Sequence, residues 1–191
     1  MMSPSPWPEG IPADWVEQLI EFWFRQHGMA DWFHGGDAFD AAVSERFEPW
    51  REALRQLPPE HFGIGAATAL AAVLLFDQVP RNAHRGSAEA FATDPLALAI
   101  ARHAVERGFD EPLDRHQRLF LYLPFEHSED LDDQRESLRL IGGLDDAELT
   151  AYAQAHFDII KRFGRFPHRN AALGRADRDG EAEAVANGAA F

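Results

Sequence analysis

Apolar residues recur along this chain at spacings of three and four, the period of a helix with one buried face. In ADWVEQLIEFWFRQHG, Trp15, Leu19, Phe22 and Trp23 share a face and Gly28 offers an end. In DAFDAAVSERFEPWREALRQLPP, Phe39, Val43, Phe47 and Leu54 do the same. Pro49 is expected to bend or split that helix, and Pro58–Pro59 to stop it. GIGAATALAAVLLFDQVPRN is apolar nearly all round from Ile64 to Phe76, the pattern of a buried central helix. Asp94 is the expected N-cap of the next helix, with Pro95 in its first turn and Gly108 closing it. The stretch from Leu113 predicts a helix to about Leu123, a break at Pro124, and a second helix ending at Gly142. Asp145 and Glu148 resemble a capping box opening a helix that ends near Gly164.

No segment alternates as a strand does. The expected architecture is all-α, with six to eight helices in antiparallel pairs joined by short loops and no sheet. One helical domain spans residues 11–175. Residues 1–10 read as a loose, proline-rich leader. Residues 176–191 are small and polar, and predict a frayed short helix or disorder.

Composition removes several chemistries. The chain has 191 residues, no cysteine and a formal net charge of −14. Without cysteine there is no disulfide, zinc–thiolate site, iron–sulfur cluster or thiol nucleophile. The negative field opposes nucleic acid and anionic membrane surfaces, so neither is an expected partner. No apolar run is long enough to span a bilayer, the first ten residues do not resemble a secretory signal, and a cytoplasmic location is expected.

Candidate chemistry gathers in three strings, LLFDQVPRN, LYLPFEHSE and IIKRFGRFPHRN. Each starts apolar, reaches a proline and releases polar side chains beside it. A proline halts the helical ladder, and the freed turn can aim side chains at one place. Residues 156–170 carry Lys161, Arg162, Arg165 and Arg169 against Asp158 alone, a basic focus in an acidic protein. The acid–base candidates are His127, Glu129, His168 and Asp77. Arg165, Arg169 and Arg81 are the candidates for gripping a carboxylate or phosphate. The alternative is that the arginines clamp Asp77 or Glu129 across helices and brace the fold.

A metal site is not expected, because there is no H-E-x-x-H and no E-x-x-H at helical spacing. Ser128 lacks a nucleophile elbow and reads as an N-cap. GIGAAT at Gly63 lacks the third glycine and the preceding strand of a dinucleotide fingerprint. His27, His34, His61, His84, His103 and His116 show no partner pattern and read as surface or packing residues. No motif identifies a cofactor.

The strings FDQVPRN, YLPFEHSEDLDDQ and HFDIIKRFGRFPHRN, flanked by EFWF, DWF and ALGR, resemble the signatures of a bacterial family catalogued as domain of unknown function 924. The resemblance runs from about Trp15 to Arg175. It implies a tetratricopeptide-like α/α superhelix, although no tetratricopeptide consensus repeat is visible. It implies no activity. The family's recurrent polar positions correspond here to Asp77, Gln78, Arg81, Asn82, His127, Ser128, Glu129, Gln134, His156, Arg162, Arg165, His168, Arg169 and Asn170. Two departures stand out. Val79 replaces an aromatic, and ADRDGEAEA replaces the usual start of a final helix.

Two functions are consistent with these residues. One is a pocket for a small anionic molecule, with acid–base groups beside it. The other is a helical scaffold that binds a peptide or protein in a groove, its polar cluster an internal brace.

Overall fold

The computed structural model describes residues 6–34 and 36–188, and the side chains of residues 33 and 34 lie outside the description. The first half of the expected leader, the side chain of His34 and the last three residues therefore fall outside it. Every regular element among the described residues is a helix, and none is a strand.

Helix α1 (Trp15–Glu21) runs into a π turn at Phe22–Gln26 and is followed by α2 (Met29–His34). The long α3 (Asp37–Leu54) continues through Pro49 without a break. A proline removes one backbone hydrogen bond, and here the buried face Phe39, Val43, Phe47 and Leu54 holds the helix together around the gap. The central helix α4 (Ala66–Val73) has Ala69, Leu70, Ala71, Ala72 and Val73 fully buried. Ile64, just before it, is exposed. The centre of the bundle is thus filled by small and medium side chains, which let α1, α6 and α7 approach closely.

α4 opens into a π turn, Leu74–Gln78, then continues as α5 (Val79–Ala83). The cause lies in Pro80, which has no N–H to give the Phe76 carbonyl. Buried Thr93 supplies the missing donor, its hydroxyl 2.6 Å from that oxygen. The widened turn places Asp77 inward.

Helix α6 (Asp94–Glu106) begins with Thr93 as N-cap residue, so Asp94 is the first helical residue and not the cap. Its carboxylate is free to take arginines. Gly108 follows α6 at φ 67. Helix α7 (Arg115–Glu126) carries a capping box between Asp114 and Gln117 and passes through Pro124 to end at His127. The expected break is displaced by three residues. Pro124 is buried, with its neighbours Leu123 and Phe125 packed in the core.

Helices α8 (Leu131–Gly142) and α9 (Ala147–Phe163) are capped by Asp130 and Asp146, each accepting two backbone N–H bonds. Ser128 does not cap α8 but donates to Asp133 at 2.7 Å. Asp145 turns the chain at φ 54 instead of capping. Successive helices α6 to α9 pack on one another.

The leader is packed where a loose segment was expected, and the tail forms the short helix that was one of its two expected states. Trp7, in the leader, packs edge-on to Trp15 at 5.3 Å and stacks on Phe62 at 6.0 Å. The tail forms α10 (Glu181–Ala186), and Glu181 is fully buried. An aromatic ring and a carboxylate with donors on all sides each supply an anchor that low mean hydropathy does not reveal.

Candidate functional site

The three proline-bearing turns do converge. The π turn after α4 brings Asp77 and, one turn on, Arg81. The end of α7 brings Glu126 and His127. The segment after α9 brings Phe166 and Arg169, and α9 itself contributes His156.

Asp77 is the centre of this polar core. It is fully buried and accepts from His127 Nδ1 at 2.7 Å and from Gln78 Nε2 at 2.5 Å, with Arg81 Nη1 at 3.3 Å. Burial opposes its ionisation, but Arg81 and His127 outweigh burial and hold the carboxyl below the usual range. An ionised carboxylate only accepts, so the His127 proton sits on Nδ1 and Nε2 is the basic nitrogen of the neutral ring. Burial, then Arg81, lowers the His127 pKa against the pull of Asp77. Among the described residues Nε2 has no hydrogen-bond partner.

Arg81 forks onto Asp94 at 2.7 and 2.9 Å and donates to the Asp77 carbonyl at 2.7 Å. Its charge is therefore largely spent inside the protein. Asn82 donates to the Gln78 carbonyl of its own helix. The side chains of Arg81, Asp94 and His127 are 18%, 20% and 14% exposed, so the core meets solvent along this edge.

Arg169 is the exception among the arginines. It is buried between two rings, its guanidinium 4.7 Å from Phe91 and 4.5 Å from Phe166. Among the described residues its one carboxylate contact, to Asp94, is 3.5 Å long, and its Nε has no hydrogen-bond partner. Burial, then Arg81, brings its pKa down to about 10, which leaves it cationic at neutral pH.

Glu126 is the matching exception among the carboxylates. It is buried, and the one titratable group found within 4 Å of its carboxyl among the described residues is His156, whose Nδ1 lies 3.5 Å away. That nitrogen already donates to the Tyr152 carbonyl at 2.9 Å. Burial and the nearby Asp77 raise the Glu126 pKa to about 8, so it is mostly neutral at pH 7. Burial lowers His156 to about 3.

Other expected site residues lie outside this core. Arg165 forks onto Glu181 of α10, and Asn170 donates to Glu181 at 3.0 Å and Asp177 at 2.8 Å. Glu129 is held by Arg175 at 2.8 and 3.0 Å and by the Phe166 N–H at 2.7 Å. It therefore does not orient a histidine. Arg162 is exposed and lies over its neighbour Phe163. Gln134 is buried and ties down the Glu126 and Ser128 carbonyls at 2.6 and 2.7 Å. His168 is half-buried beside Phe166. The sequence pattern pointed to the three turns that meet here. It missed Asp94, read there as a cap, and Glu126, which it did not single out.

Two open clefts lie elsewhere. One, of about 400 Å³, runs between α9 and α10 beside Asp158, Arg162, Glu183 and Asn187. The other, of about 320 Å³, is lined by Asp110, Arg118, Tyr122 and Arg139. Among the described residues no group of three His, Asp or Glu side chains is arranged to hold a metal, and no helix is long and apolar enough to cross a membrane.

A solved structure of a protein of unknown function from Agrobacterium tumefaciens is similar, with a TM-score of 0.86 and 38% identity. The match covers 92% of this chain and 99% of that one. No curated protein matches the chain. The model of the bacterial proteins of unknown function DUF924 matches residues 19–189. With a family match over residues 19–189 and a similar fold over most of both chains, the chain belongs to the DUF924 family.

Proposed function

We propose that this protein binds a small anion at the polar core and performs proton transfer on it. His127 is the proton acceptor, Asp77 orients and supports it, and Arg169 supplies the charge that holds the anion. One observation carries this reading: the 2.7 Å contact between buried Asp77 and His127 Nδ1, which leaves Nε2 basic and unpaired. A carboxylate behind an imidazole fixes its tautomer and stabilises the imidazolium formed on proton uptake. Arg169 adds a cation not consumed by a fork. The ligand class is a carboxylate- or phosphate-bearing small molecule. A cytoplasmic setting goes with this reading, resting on the cysteine-free sequence.

The test is a thermal-shift and native mass-spectrometry screen of small phosphates and carboxylates on the full chain and on Arg169→Gln. The expected result is at least one anion that stabilises the wild type and not the variant. His127→Asn should retain that binding and lose turnover. If no anion distinguishes the wild type from Arg169→Gln, the reading fails.

The scaffold reading keeps one specific support. Arg81, Arg165 and Arg175 are all forked onto carboxylates of other segments, as braces would be. In that reading a partner peptide occupies the cleft between α9 and α10, and Arg169→Gln leaves its binding unchanged.

A further inference from the structure

One short segment makes the wall of the core beside Arg169. Glu89 accepts from fully buried Arg51 at 2.7 Å, and Thr93 donates to the Phe76 carbonyl at 2.6 Å, so residues 89–93 are pinned at both ends. Between these anchors Phe91 lies under two guanidinium groups, that of Arg81 at 5.6 Å and that of Arg169 at 4.7 Å from its ring centre. Asp94 comes next, and the same two arginines meet on it. Arg81 Nη1 is 2.7 Å from Oδ1, while Arg81 Nη2 at 2.9 Å and Arg169 Nη1 at 3.5 Å share Oδ2. Asp94 is thus an anion already placed between both cations, and a ligand oxygen held by Arg169 must lie against it. An ionised carboxylate offers about four acceptor sites. Arg81 fills two of those on Asp94, and Arg169 approaches a third at long range. The carboxylate therefore keeps room for a donor, at the edge where the core meets solvent.

We propose that Asp94 determines the specificity of the anion site: it accepts a hydrogen bond from the ligand while Arg169 holds the ligand's charged oxygen, so the site takes oxyanions that carry an O–H beside the charge and rejects those with acceptors only. This rests on the anion-binding reading above and names its ligand class. Phosphates that keep a proton and 2-hydroxy carboxylates both have the required pair of oxygens, and sulfate does not. A bare oxyanion on Arg169 would face the Asp94 charge at close range in a partly dry site, where repulsion is strong. An adjacent O–H turns the same neighbour into the acceptor of a charge-assisted hydrogen bond. Arg169 Nη1 and Asp94 Oδ2 are 3.5 Å apart, so two oxygens on one phosphorus, or on neighbouring carbons, can meet one each. No bond is made or broken on binding. The ligand keeps its O–H, Asp94 stays ionised, and Arg81 stays forked on it.

The experiment is isothermal titration calorimetry of the full chain at neutral pH with two ligand pairs, inorganic phosphate against sulfate and glycolate against acetate. In each pair only the first member carries an O–H, and the pair that shows a gap tells a phosphate ligand from a hydroxy acid. Wild type, Asp94→Asn and Arg169→Gln are compared. In at least one pair the wild type is expected to bind the O–H-bearing member tighter by about tenfold or more, the size of one hydrogen bond to a charged group. The gap should close in Asp94→Asn, whose amide can donate to a bare oxyanion. If the wild type binds both members of each pair equally, or if the gap persists in Asp94→Asn, the role of Asp94 is overturned and anion binding stands. If Arg169→Gln binds as well as the wild type, or nothing binds, the anion-binding reading itself fails. Should Asp94→Asn not fold, the wild type is titrated at about pH 5 with methyl phosphate, which there keeps its O–H, and with dimethyl phosphate, which has the same charge and none. Methoxyacetate is the matching control for glycolate. Equal affinities within these pairs overturn the proposal.

Discussion

Arg165 forks onto Glu181, its Nε 2.8 Å from Oε1 and its Nη2 2.6 Å from Oε2. Asn170 and the Arg178 N–H complete the carboxylate's shell at 3.0 and 2.8 Å. Hydrogen bonding to Arg165 draws the Glu181 carboxyl well below its ordinary range. A short helix of mostly small side chains is thereby fastened through one carboxylate, where its small apolar area alone would not hold it.

Ending the chain after Gly174 removes both Glu181 and Arg175, the partner of Glu129. The expected result is a fall in melting temperature of more than about 5 °C. Glu181→Gln and Arg165→Met should each lower it, and the double variant by less than their sum, because they break one interaction. A truncated chain melting like the full one would show that α10 adds no stability.

Phe166 is fully buried and touches His156 and Arg169, while its N–H donates to Glu129. Phe166→Ala should cost about 3–5 kcal/mol in a urea melt, the range for a buried ring. It should also weaken anion binding, since the ring spaces Arg169 from His156. A cost near zero would mean that the turn after Gly164 is not held by this ring.

Stability should vary with pH in a way set by two buried groups. The Glu126 pKa is raised from 4.5 to about 8, so its contribution is full below about 4.5 and is lost as pH rises to about 8. The His156 pKa is lowered from 6.5 to about 3, so its contribution is full above about 6.5 and is lost as pH falls toward 3. Asp77, lowered, also loses its contribution in acid. The two opposing slopes overlap between 4.5 and 6.5. Melting temperature should therefore fall from about pH 6.5 to 8 in the wild type and stay level there in Glu126→Gln. Parallel curves for the two proteins would refute the buried neutral acid.

Asp77→Asn removes the charge that raises the His127 pKa. The imidazole should then titrate at still lower pH, which nuclear magnetic resonance of the ring protons would follow. Breaking a buried ion pair typically costs about 3–5 kcal/mol, and Arg81 retains Asp94, so the loss should sit at the lower end. An unchanged His127 titration would show that the Asp77 contact is not formed in solution.

Much of the scaffold was legible in local pattern. Gly164 shows why: it ends α9 at φ 68, a left-handed conformation open to glycine, with its N–H 2.8 Å from the Ile160 carbonyl. Such signals are complete within a few residues. Pro49 and Pro124 were misread because a single missing backbone bond is local, whereas the packing that keeps each helix continuous comes from other helices. The anchors of the leader and tail were missed for a related reason, since average polarity says nothing about where one Trp7 or one Glu181 lands.

The sequence by itself determined the helical class, most helix ends, the buried central helix and the three turns that carry polar groups, because helix periodicity and capping are local physics. Only the tertiary structure decided which charge meets which. Arg165 finds Glu181 sixteen residues on, Asp77 finds His127 fifty residues on, and Arg169 reaches toward Asp94 across seventy-five. Any arginine can pair with any carboxylate by chemistry, so partners are chosen by where packed helices place their ends. That choice left Arg169 without a fork and Glu126 without a cation among the described residues, and no spacing along the chain records it.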